Sequence, residues 1–141
     1  MRRKELSMKN SLLINALRAN AAFSATTGTI LVVASVPASS WLGIETWVSI
    51  GLGLGLIGFG ALLVVLARDP HPAFVRAVIL ADAAWVVGAV IVIAVLPDLM
   101  SAAGLWALGI VSVIVADIAV AQYLALRRVE QHLGVGEPIY L

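Results

Sequence analysis

Two carboxylates sit where a carboxylate is costly. Asp82 lies in Ile79-Leu80-Ala81-Asp82-Ala83-Ala84-Trp85, and Asp117 in Val115-Ala116-Asp117-Ile118-Ala119; both stretches belong to long apolar runs. An ionisable group inside such a run is by default a candidate for ion binding, proton transfer or recognition of a charged group. Trp85 follows Asp82 by three residues and shares its side of a helix. In the first apolar run, Asn20, Ser24 and Thr27 recur at helical spacing and line one face. Together these six residues are the candidate polar site. An acid of this kind also has a purely architectural use, hydrogen-bonding across helices to Ser24, Thr26 or Thr27.

Other chemistries are excluded by inventory. The chain has no cysteine, which removes disulfide exchange, thiolate metal sites and cysteine nucleophiles. Its two histidines, His71 and His132, lie outside the apolar runs with no acids at ligand spacing, so neither a metal site nor a haem is expected. No nucleophile motif or acid–base cluster supports an enzyme, and no cofactor is expected. The nine basic residues form no nucleic-acid patch.

The elements that must position the candidate site are helices in lipid. The chain of 141 residues is 62% hydrophobic and 12% charged, against about half and about a quarter for a soluble domain. Four runs have the roughly 20 residues that a membrane span needs, at about 17–36, 47–66, 74–96 and 102–126. Short connections containing Pro37, Pro70, Pro72 and Pro97 separate them. The expectation is a single all-α domain over residues 1–141, an up-down transmembrane four-helix bundle. Residues 1–16 are expected to form a short interfacial helix merging into the first span. A basic start, an apolar run and Val36-Pro37-Ala38 also outline a signal peptide, but the segment is expected to be retained as the first span.

Orientation follows from the basic residues. Arg2, Arg3, Lys4, Lys9 and Arg18 come at or before the first span, Arg68 and Arg76 flank the second connection, and Arg127 and Arg128 end the fourth span. The first and third connections hold only acids, Glu45 and Asp98. The positive-inside tendency then places both termini in the cytoplasm. Trp41 and Trp47 read as interfacial anchors.

Small residues predict where helices meet. In the second run Gly51, Gly55 and Gly58 share one face, while Gly53 and Gly60 share nearly the opposite one, which implies close neighbours on both sides. In the third run Ala77, Ala81, Ala84 and Gly88 form a stripe pointing away from Asp82; in the fourth, Gly109, Ser112, Ala116 and Ala119 form a stripe pointing away from Asp117. Counting from the charged ends places the two acids at similar depths, with Arg18, Asn20, Arg76 and Gln122 just shallower as hydrogen-bonding or ionic partners.

The segments Leu17-Arg18-Ala19-Asn20-Ala21-Ala22-Phe23-Ser24, with Gly28 after them, and Asp82-Ala83-Ala84-Trp85-Val86-Val87-Gly88 resemble those of small uncharacterised four-helix integral membrane proteins of bacteria. The resemblance spans roughly residues 12–128 and implies architecture and a bacterial inner-membrane location, with no activity attached.

The leading functional expectation is a small membrane subunit that self-associates or joins a larger membrane complex, because the stripes exceed the needs of one thin bundle. Its partners would be the bilayer and either a second copy or another membrane protein. The alternative is a small-solute or ion transporter or channel using Asp82 and Asp117.

Overall fold

The computed structural model describes residues 2–133, with side-chain surroundings for residues 11–131. The tail containing Gly134, Gly136 and Pro138 lies outside the described residues, as do the side chains of Arg2, Arg3, Lys4 and Lys9. The described chain is helical throughout, with no strand: α1 (Arg2–Val33), α2 (Ser35–Leu42), α3 (Thr46–Leu66), α4 (Pro72–Val95) and α5 (Ala102–Leu133), with one 3-10 turn at Pro97–Leu99.

Three helices, α3, α4 and α5 as far as Gln131, are long and apolar enough to cross a membrane; α1 and α2 make a fourth candidate if the bent pair is one span. The exterior fits such a solvent. Trp106, Leu80 and Phe74 are among many large apolar side chains left outside, while the interior is small.

The first expected span differs from its expectation. The segment 1–16 continues without a break into the first span, as one helix α1 from Arg2 to Val33. The chain then bends by 97° at Ala34 and continues as α2, where a connection was expected. Pro37 does not prevent this helix because it falls in the first turn, where backbone N–H groups have no intrahelical acceptor. Gly43 ends α2 in the left-handed conformation (φ 72°), with its N–H bonded to the Ser39 carbonyl. The other ends follow ordinary rules. Pro72 opens α4, preceded by His71 in extended conformation, and α4 stops at Leu96, before Pro97.

Packing proceeds around α1. Helix α1 lies against α3 and α5, α5 lies against α4, and α2 crosses the end of the molecule to touch α3 and α5. The Ser101 N–H bonds to the Leu42 carbonyl (2.9 Å), tying the start of α5 to the end of α2. Helices α3 and α4 are joined in sequence but are not one of the closely packed pairs, and meet only in the core near their connection. A core of Leu13, Leu17, Leu63, Val75, Val78 and Leu126 closes the end of the molecule near their connection.

Glycines set the α1–α3 approach, though not all the expected ones. A Cβ at Gly28 would stand 2.5 Å from the Gly53 carbonyl oxygen; one at Gly53 would stand 2.7 Å from that of Gly28. Gly60 meets Ala21 and Ala25 in the same seam. By contrast, nothing lies within 4 Å of a Cβ placed on Gly51, Gly55, Gly58 or Gly88, and Ala81 is exposed. The expectation of neighbours on both faces of α3 is thus corrected: within the chain only the Gly53/Gly60 face is packed. The reason is the row-like order of the helices, which leaves α3 one close neighbour of its own length, α1.

Candidate functional site

Asp82 is buried, as is its partner Asn20 (5% and 1% exposed). The Asn20 Nδ2 donates to Asp82 Oδ2 at 2.7 Å, linking α1 to α4. Ser24 Oγ donates to Asn20 Oδ1 at 3.3 Å, one turn further along α1, fixing which way the amide faces. The i, i+4 spacing of Asn20 and Ser24 is what stacks the two side chains. Asp82 Oδ1 makes no hydrogen bond among the described residues.

This polar trio is at the wall of a half-open cavity of about 430 Å³. All five helices contribute to its lining, and Asn20, Ser24, Thr27, Asp82 and Trp85 all border it. The rest of the wall is apolar and rich in rings: Phe23, Trp41 and Phe59 join Trp85. The Trp85 Nε1 is buried with no acceptor among the described residues. A second cavity of about 630 Å³ lies in the gap between α3 and α4, walled by Phe59, Leu62 and Leu66 on one side and Phe74, Ala77 and Ala81 on the other. Phe59 and Ala81 border both spaces, so the cavity adjoins the cleft.

Five of the six candidate residues therefore meet at one place. The sixth does not. Asp117 is exposed on the outer face of α5, among Ile110, Val113 and Leu124, and has no hydrogen bond or ion pair among the described residues. The expected shared layer of two acids is corrected accordingly. Helix α5 buries the side carrying Ser112, Val115, Ala119 and Gln122, and Asp117 points the other way. The expected partners also disperse. Arg76 pairs with Glu130 (2.6 Å); among the described residues, Arg18 is exposed and unpaired, and Gln122 is fully buried with neither side-chain heteroatom bonded. Thr26 is exposed on α1.

Sequence reasoning missed Phe23, Phe59 and Trp41 as cavity walls. Phe23 carried a usable signal, since it adjoins Ser24 and lies one turn from Asn20 and Thr27. Trp41 read as an anchor because α2 was read as a connection. No group of three or more potential metal ligands exists among the described residues. The trio suits recognition of a donor or a cation: one carboxylate oxygen is held and the other is open, in a space where attraction is little screened.

The chain matches no protein-family model, no curated protein and no solved structure.

Proposed function

We propose that this chain is an integral protein of a bacterial inner membrane that binds, in the cavity beside Asp82, an amphipathic molecule with a cationic head. In this reading α1 to α5 supply four antiparallel spans, α1 with α2 being the bent one, and both termini are cytoplasmic. The basic residues support that orientation: Arg68, Arg76, Arg127 and Arg128 gather at one end of the bundle, and Glu45 and Asp98 at the other.

The observation that carries the reading is the open oxygen of Asp82, oriented by Asn20 and bordering an apolar, ring-lined cavity. A carboxylate kept inside such a wall is costly without a partner. A cation supplies one, and aromatic faces add to its attraction. The head would sit against Asp82, with Trp85 and Phe23 beside it, and the tail would lie along the α3–α4 cleft, among Phe59, Leu62 and Phe74. This takes the binding half of the transporter alternative and assigns it to Asp82 alone.

The test compares decylammonium, decanol and decanoate by calorimetric titration against the protein in nanodiscs, with empty nanodiscs as the reference. Decylammonium is expected to bind at least about tenfold tighter than decanoate, a difference of ~1.4 kcal/mol. Asp82→Asn is expected to erase that preference while leaving decanol unchanged. Equal binding of the amine and the acid, or an unaltered preference in Asp82→Asn, refutes the assignment.

A further inference from the structure

Asp117 poses a separate problem. It stands near the middle of the longest candidate span, on the outward face, with no partner among the described residues. The outward face of the adjoining helix α1 is unusual as well. It carries Asn15, Arg18, Ala19, Ala22 and Thr26, all exposed, where the outward faces of α3 and α4 are almost wholly apolar. A helix face with an arginine, an amide and a hydroxyl does not favour lipid, and neither does a lone carboxylate.

The two charges lie at matching depths. Helix α2 leaves α1 at 97° and so stays near the level of Val33, and its last residue, Leu42, is hydrogen-bonded to Ser101, next to the start of α5. The end of α1 and the start of α5 are therefore level. Arg18 and Asp117 each lie about fifteen residues from that level, or roughly 22 Å at 1.5 Å per residue.

We propose that the outward α1–α5 face is covered by a second copy of this chain, with Arg18 of each copy set against Asp117 of the other. A second copy fits because one two-fold rotation about an axis along the membrane normal preserves depth and delivers both complementary charges at once. A foreign helix would have to carry an acid and a base in the reverse order at the same depth. Ala19 and Ala22 on α1 and Ala121 on α5 keep the face low enough for close approach. The face is separate from the cavity and from the α3–α4 cleft, so the proposal stands without the ligand assignment.

The chain's lack of cysteine makes the test direct, because single-cysteine variants report contacts in native membranes. Ala22→Cys and Val113→Cys, each 11 residues from that level and exposed, co-expressed with different tags, are expected to give a disulfide-linked heterodimer on mild oxidation, whereas Gly55→Cys and Gly88→Cys, on the other outward faces, are not. Adding Asp117→Arg to the cysteine pair is expected to abolish the band, and adding Arg18→Asp with Asp117→Arg to restore it. Because restoration in the double variant requires a folded chain, it separates charge pairing from misfolding. Crosslinking confined to Gly55→Cys or Gly88→Cys, a linked species whose mass is not twice that of the chain, no crosslink at all, or failure of the charge exchange to restore the band overturns the proposal.

Discussion

The bond between Asn20 and Asp82 can be weighed by a double-mutant cycle of Asn20→Ala, Asp82→Ala and the pair. At 2.7 Å, between two side chains that are 1% and 5% exposed, it is the one direct link between α1 and α4 within the trio. Side-chain hydrogen bonds between helices in membranes couple by about 0.6 kcal/mol on average and about 1.7 at most. A bond to a carboxylate is roughly twice as strong as a neutral one. The expected coupling is therefore about 1–1.5 kcal/mol. The same cycle on Asn20 and Ser24, whose bond is 3.3 Å long and lies within one helix, should give under about 0.5 kcal/mol. Asp82→Asn keeps an acceptor for Asn20 and should cost less than Asp82→Ala. The assay is reversible unfolding in mixed micelles, followed by helicity and by tryptophan fluorescence. A coupling of Asn20 with Asp82 no larger than that of Asn20 with Ser24 would refute the claim that this bond organises the site.

The glycines of α3 offer a comparison with opposite outcomes two residues apart. Gly53→Ala should be less stable than Gly55→Ala by about 1–3 kcal/mol, the cost of overpacking, because the helix-propensity gain is common to both and only Gly53 faces a carbonyl at 2.7 Å; equal stabilities in the same unfolding assay would contradict the seam. Gln122→Leu should raise stability by about 1–3 kcal/mol, since it removes a fully buried amide with no bonded partner; a loss of similar size would mean the amide is satisfied in solution. Arg76→Ala should cost under about 1 kcal/mol and less still in high salt, because the Arg76 side chain is 62% exposed in its pair with Glu130; a cost above about 2 kcal/mol, read by thermal unfolding, would argue for a larger role.

The apolar helices α3, α4 and α5 were legible because lipid-scale apolar runs and prolines are local signals. The starts of α3, α4 and α5 fall within about two residues of their expected places. The face bearing Asn20, Ser24 and Thr27 was legible for the same reason: polar side chains at helical spacing stand out against an apolar background. Rotation of the apolar helices was not. A helix that is hydrophobic all round carries no preferred inward side in its pattern, so Asp82 facing in and Asp117 facing out could not be told apart. Which of the two glycine faces of α3 would be packed was hidden likewise, since that depends on the order in which the helices sit side by side. Helix α2 was missed for a different reason. A proline three residues into a segment reads as an end of structure, although it is equally a beginning, and Gly43 placed just after Leu42 marked the matching stop.

The unclosed seam between α3 and α4 has a consequence for how affinity would be read. A molecule reaching the cavity by that route comes from the acyl phase and not from water, so its relevant concentration is the one set by partitioning. Each methylene added to its tail raises that concentration about fourfold, at ~0.8 kcal/mol per CH₂. Longer homologues would then look like better ligands with no change in any contact at Asp82, and half-saturation quoted per litre of buffer would move with the amount of lipid in the tube. Only mole fraction in the bilayer would give the same value from one preparation to the next.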